Sequence, residues 1–220
     1  MFDRISPRYD FFNRILSFGT DIGWRRRALA LLGARAGERV LDLGSGTGDL
    51  AFAVARVGAT VVAADLSHGM LAVLLRRSRD EPAGPRVGPV VANVHALPLA
   101  DSSMDRIVTG FTVRNVGDLA SAFGELRRVL RPNGRLVVLE LSHPPSRLFA
   151  FVYRLYFEQF APRLATILGG DPAAYRYLPR SLRVFPGADE LATVIGAAGF
   201  ASVRYERLLF GIAALHIAER

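Results

Sequence analysis

The stretch Val40-Leu41-Asp42-Leu43-Gly44-Ser45-Gly46-Thr47-Gly48-Asp49 limits most strongly what this chain can fold into. Apolar residues lead into three glycines at alternate positions. Such a run reads as a buried strand, a tight turn and the start of a helix. Glycine accepts positive φ and lets another group come close to the backbone. The helix start offers N–H groups without helical partners. The stretch therefore reads as the mouth of a nucleotide-type pocket.

Downstream, strand and helix patterns alternate. Strands are expected at Arg39–Leu43, Thr60–Ala64 (ending at Asp65), Pro89–Val94, Asp105–Phe111 and Arg135–Leu141. Helices are expected at Thr47–Val57, His68–Arg79 and Leu119–Leu130, the last closed by the turn sequence Arg131-Pro132-Asn133-Gly134. This alternation predicts a doubly wound α/β fold, with a mostly parallel sheet and helices on both faces. Ligands in such sheets sit at the carboxyl ends of the strands. A helix at Ala188–Ala198 and strands at Ser202–Leu208 and Ile212–Ala218 predict a C-terminal antiparallel hairpin on the sheet edge.

Two regions break the rhythm of this single 220-residue domain. Residues 1–36 read as a helical arm or lid, with closely spaced aromatics such as Phe2, Tyr9, Phe11, Phe12 and Trp24. Residues 145–185 read as a helical insertion. Phe149, Tyr153, Tyr156, Phe157, Phe160, Leu164 and Ile167 fall on one stripe there. The stripe suits either packing on the domain or covering an apolar substrate.

The chemistry of the turn narrows the ligand. A phosphate-binding loop needs a lysine after its glycines, and this chain has no lysine. A dinucleotide fingerprint is G-x-G-x-x-G, whereas Gly44–Gly48 is G-x-G-x-G. Asp49 at the helix start would repel a pyrophosphate. Asp42 and Asp49 favour a ligand with a cationic part and no phosphate, a description that S-adenosylmethionine fits. Asp65 could accept both ribose hydroxyls or cap the next helix. Asn93 could pair with an adenine edge or serve a turn.

The residues now described resemble the class I S-adenosylmethionine-dependent methyltransferases, and within them the ubiquinone/menaquinone biosynthesis C-methyltransferase (UbiE/MenG) family. The resemblance covers nearly the whole chain. It includes Met1–Asp10 through Trp24-Arg25-Arg26, Val40–Asp49, Phe111-Thr112-Val113-Arg114-Asn115-Val116, Ala174-Tyr175-Arg176-Tyr177-Leu178-Pro179 and Phe185-Pro186. The glycine motif is shared by many methyltransferases; the Arg-Asn pair and the Tyr-Arg-Tyr-Leu-Pro stretch are narrower.

The resemblance implies a Rossmann-like seven-stranded methyltransferase sheet. It implies S-adenosyl-L-methionine as methyl donor without a metal, and C-methylation of a polyprenyl quinol. Demethylmenaquinol is the expected substrate, with a 2-polyprenyl-6-methoxy-benzoquinol as the second choice. By the resemblance Thr47, Asp65, Asn93 and Val94 match cofactor-binding positions, and Asp42, Gly44, Gly46, Gly48, Leu66 and Gly110 complete the expected cofactor-binding set. Gly110 stands where the family often has serine. Val113 and Asn133 also depart, from leucine or isoleucine and from glycine. Arg114 is the implied catalytic residue, stabilising a developing phenolate or polarising a water. Tyr9, His143 and Tyr177 are its candidate partners, and Asn115 is a further catalytic candidate. His143 is either a loop residue or an acid/base.

Two rivals remain at this level. An RNA methyltransferase would use the formal net charge of +8. However, the Asn/Asp-Pro-Pro-Tyr/Phe signature of amino methylation is absent after the fourth strand, and no appended RNA-binding module is recognisable. Nucleic acid is therefore not expected as a partner. A silent cofactor-binding scaffold of a quinone-synthesis complex would keep the pocket without turnover. Cysteine is absent, which excludes disulfides and thiolate chemistry. Met1–Pro7 is charged and proline-broken, unlike a secretory signal. The expectation is a cytoplasmic protein, peripheral to an anionic membrane face, either alone or as a homodimer.

Overall fold

The computed structural model describes residues 19–146, 148, 149, 151, 155, 181, 182 and 184–220. Tyr9, Tyr177, most of the aromatic stripe and the Ala174–Pro179 stretch lie outside the described residues.

Helix α1 (Thr20–Leu32) comes first and ends at Gly33, whose N–H reaches the Leu29 carbonyl at 3.1 Å. Trp24, Ala28 and Leu32 recur every four residues and are buried, so one face of α1 lies on the sheet. Strand β1 (Arg39–Leu43) follows, then α2 (Asp49–Ala55), β2 (Thr60–Asp65), α3 (His68–Arg77) and β3 (Val87–Val91). The second half holds β4 (Met104–Gly110), a 3-10 turn at Val113–Asn115, α4 (Leu119–Val129), β5 (Leu130–Leu141), α5 (Ala188–Ala197), β6 (Ser202–Leu208) and β7 (Ala213–Glu219).

The seven strands form one sheet in the order β3-β2-β1-β4-β5-β7-β6. β1 pairs in parallel with both β2 and β4, so the winding reverses beside it. That reversal opens a crevice at the carboxyl ends of β1 and β4. β7 runs antiparallel between β5 and β6. Its residues Ala213 to Ala218 are all buried, whereas β6 alternates between half-buried and exposed. The apolar strand therefore takes the interior place and the mixed one the edge.

Alternate strand residues supply two cores. Val40, Val61, Val108, Val137 and Leu139 face the core that holds Trp24, Phe52 and Leu74. Leu41, Leu43, Ile107, Leu136 and Val138 face the one that holds Phe123, Leu126, Leu191 and Ile195. Strands buried on both faces account for the near-continuous apolar runs.

Two strands differ most in their bounds from the sequence reading. β3 spans Val87–Val91 rather than Pro89–Val94, because Asn93 already turns back in an isolated bridge with Ala96. Pro89 is tolerated in β3, an edge strand paired only with β2. β5 starts at Leu130, not Arg135, since Leu130 pairs with Met104 before the register shifts. Asn133 takes φ 62° in that irregularity. This is a conformation that asparagine tolerates better than most side chains, which explains how it stands where glycine is usual.

Candidate functional site

The glycine turn closes over the end of β1 with every glycine at positive φ: 67° at Gly44, 53° at Gly46 and 96° at Gly48. Gly44 is needed twice over. A Cβ there would lie 2.1 Å from Thr112 Oγ1. Gly46 faces open space, with nothing within 4 Å of a Cβ.

Asp65 organises the turn from β2. One carboxylate oxygen accepts the Gly46 N–H and the other accepts the Ser67 N–H, each at 2.8 Å. The cap of α3 is Ser67, whose hydroxyl accepts the Met70 N–H at 3.2 Å. Asp65 thus joins two loops and does not cap the helix. Each of its oxygens keeps a lone pair for a hydroxyl.

A cleft of about 550 Å³ runs over this turn. Nine predicted residues line it: Gly44, Gly46, Thr47, Asp65, Leu66, Asn93, Val94, Gly110 and Asn115. Asn93 is exposed, and its side-chain oxygen accepts the His95 N–H at 3.1 Å, so it shapes the turn after β3 while facing the cleft. Thr47 is buried, and Arg77 donates to its carbonyl and hydroxyl. The same Arg77 pairs with Asp49 at 2.9 Å. The negative charge expected to select a cationic ligand at Asp49 is thus shared with an arginine.

Asp42 lies beneath the cleft and off its wall, 1 % exposed, on the strand face that Val40 presents to α1. Neither oxygen has a hydrogen bond of full geometry, and the Ala51 amide approaches it only weakly. Burial pushes its carboxyl up to about 7; Arg25 opposes that rise, and the charges of Asp65 and Asp49 add to it.

Arg114 is not among the residues that line the cleft. Its side chain is 8 % exposed and turned toward Glu140, with the guanidinium 2.6 Å from the Glu140 carboxylate. It also donates to the Phe111 carbonyl at 2.8 Å. Asn115, its neighbour, does face the cleft. The His143 ring is 2.9 Å from the Phe185 carbonyl, which ties the loop after β5 to the segment before α5. Sequence reasoning missed Glu140, although an acid between Leu139 and Leu141 in an apolar strand is itself a signal. It also passed over Arg25, Phe111 and Thr112, whose places on the wall depend on long-range packing.

The glycine turn, the doubly bonded Asp65 and the open face at Gly46 fit an adenosine-type ligand with its ribose hydroxyls at Asp65. The ubiE/COQ5 methyltransferase family model matches residues 1–220. The chain belongs to this family. It is 48 % identical to a demethylmenaquinone methyltransferase of Thermus thermophilus over 222 aligned positions, covering all of both chains. It is 38 % identical to a ubiquinone/menaquinone biosynthesis C-methyltransferase of Geobacter sulfurreducens, covering all of this chain and 87 % of that one. The fold is similar to a solved SAM-dependent methyltransferase from Aquifex aeolicus, with a TM-score of 0.64 and 18 % identity over 89 % of this chain and 88 % of that one. The expected seven-stranded methyltransferase fold is therefore present.

Proposed function

We propose that this ubiE/COQ5 family member is an S-adenosylmethionine-dependent C-methyltransferase acting on a polyprenyl quinol, with demethylmenaquinol as substrate. The carrying observation is the pocket: a glycine turn pinned by Asp65, open at Gly46 and flanked by Asn93. The full-length likeness to the Thermus demethylmenaquinone methyltransferase supports the substrate.

Asp65, Asn93 and the Gly44–Gly48 turn would hold the cofactor. When bound, it supplies an electrophilic methyl on a sulfonium. The chain's own contribution is placement: holding the quinol ring carbon in line at close approach lowers the entropic cost of transfer. The ring hydroxyl must lose its proton for that carbon to become nucleophilic. Arginine is a poor proton acceptor, and Arg114 is engaged with Glu140. Its role in this reading is to fix the turn that carries Asn115 to the cleft. Tyr9 and Tyr177 remain candidates through the resemblance alone.

The tail of such a quinol is membrane-borne. Among the described residues no helix is long and apolar enough to cross a membrane. We place the reaction at a membrane face, supported by the formal net charge of +8, which favours anionic headgroups.

The test is transfer of labelled methyl from S-adenosylmethionine by purified protein, with demethylmenaquinol, the ubiquinone precursor and bulk RNA offered separately. Label in menaquinol is the expected result. Label in RNA, or in none of the three, overturns the reading. Binding to anionic vesicles that does not weaken with salt would overturn the electrostatic part.

A further inference from the structure

The cleft crosses the carboxyl ends of β3, β2, β1 and β4 in that order. Asn93 follows β3, Asp65 ends β2 and the glycine turn follows β1. With the adenine at Asn93 and the ribose at Asp65, the amino-acid end of the cofactor is carried past the turn toward β4. That is three strand spacings from Asn93, about 14 Å. The amino-acid end is a zwitterion, a carboxylate beside an ammonium. Its site needs a cation as well as acidic groups.

At the β4 end the wall is made by Gly110, Phe111 and, from α1, Arg25. Arg25 is the one arginine among the described residues that line the cleft. Its guanidinium lies over the Phe111 ring, 5.4 Å from the centroid. One terminal nitrogen lies 3.9 Å from where a Cβ on Gly110 would stand. Asp21, one helical turn earlier and 5 % exposed, backs it at 3.6 Å. That distance attracts but is too long for a hydrogen bond. Nε is buried and makes no hydrogen bond. Packing on Phe111 and the pull of Asp21 thus hold the guanidinium at the wall without a hydrogen bond from Nε. Asp21 offsets part of the cost of burying this cation, and a ligand carboxylate hydrogen-bonded to the guanidinium would offset more.

We infer that Arg25 is the seat of the cofactor's α-carboxylate, gripping it with the planar fork that arginine offers to carboxylates. Asp42 lies buried beneath the cleft on the same face of the sheet. This inference rests on the S-adenosylmethionine reading and extends it to a residue of α1, well outside the glycine turn.

The experiment is calorimetric binding of three ligands to wild type, Arg25→Gln and Arg25→Lys. S-adenosylhomocysteine carries the carboxylate. Its decarboxylated analogue lacks only that group. 5′-Methylthioadenosine keeps adenine, ribose and sulfur but has no amino-acid part. Wild type should bind S-adenosylhomocysteine about tenfold or more tighter than the decarboxylated analogue, as expected for a charge-assisted pair. Arg25→Gln should abolish that preference while leaving 5′-methylthioadenosine within about twofold, and Arg25→Lys should restore part of it. The inference is overturned if wild type does not distinguish the two homocysteine-type ligands. It is also overturned if Arg25→Gln weakens all three equally, the result of a packing role. If wild type binds none of the three, the cofactor reading itself fails, which separates the two failures.

Discussion

Glu140 holds Arg114 by two separate contacts. One carboxylate oxygen is 2.6 Å from the guanidinium, and the other accepts the Arg114 backbone N–H at 3.2 Å. The first oxygen also accepts the Leu141 N–H at 2.9 Å, and Glu140 is 1 % exposed. The pair therefore fastens the turn after β4 to the end of β5. Removing one partner strands the other charge in a buried place, at a cost of about 3–5 kcal/mol. Glu140→Ala and Arg114→Ala should each lower kcat strongly. S-adenosylhomocysteine affinity should stay within about threefold, because neither side chain is on the cleft wall. The double variant should be no worse than the poorer single one. Additive losses in a kinetic double-mutant cycle would show that Arg114 contacts the substrate by itself.

Asp65 is positioned to bind and to shape at once. Asp65→Asn keeps one acceptor oxygen but brings an NH2 group against a backbone N–H, so either the Gly46 or the Ser67 contact is lost. A hydrogen bond to a charged group is worth about 1.5–3 kcal/mol, so cofactor affinity should fall about 10- to 100-fold. Calorimetry with S-adenosylhomocysteine checks it. Unchanged affinity would place the ribose elsewhere.

Much of this site was legible because its residues are contiguous and their types are constrained. The spacing of Gly44, Gly46 and Gly48 after an apolar strand predicts the turn, and positive φ at each is what the spacing encodes. Asp65 at a strand end was readable, whereas its two backbone donors were not: they belong to loops separated by nineteen positions for Gly46 and two for Ser67. Arg25 and Glu140 lie far along the chain from the turn, and only the order in which strands and helices assemble brings them near it. The pairing of Arg114 with Glu140 was unreadable for a related reason. A pattern in the chain names a functional residue without saying toward which partner it turns.

The pH dependence of stability follows from Asp42. Its carboxyl is raised to about 7 because burial disfavours the charge. The native state therefore keeps a proton that the unfolded chain, with an ordinary carboxyl near 4, has already lost. Unliganded protein should lose stability as pH rises from about 4 through about 7, by on the order of 4 kcal/mol in all. Asp42→Asn should remove this slope. Urea unfolding of both proteins across that range measures it. Parallel curves would mean that Asp42 is ionised in the native state.

Gly44 and Gly46 separate the needs of the fold from those of the ligand. At Gly44 a methyl group would meet the Thr112 side chain at 2.1, 2.3 and 2.7 Å. Thr112 could then no longer donate from its hydroxyl to the Gly110 carbonyl at 3.1 Å. Gly44→Ala should destabilise the unliganded protein by about 2 kcal/mol or more, from overpacking together with the left-handed backbone. Adding Thr112→Gly should recover part of that loss, since the three nearest atoms met all belong to Thr112. At Gly46 a methyl group would meet nothing within 4 Å, so Gly46→Ala should cost only the backbone's roughly 1–2 kcal/mol. Its larger effect should be on the cofactor, which must approach that open surface: affinity should drop about tenfold or more beyond the change in stability. Thermal unfolding without ligand, set beside calorimetric binding, compares the two variants. If Gly46→Ala bound S-adenosylhomocysteine as wild type does, the open face at Gly46 would not be where the cofactor lies.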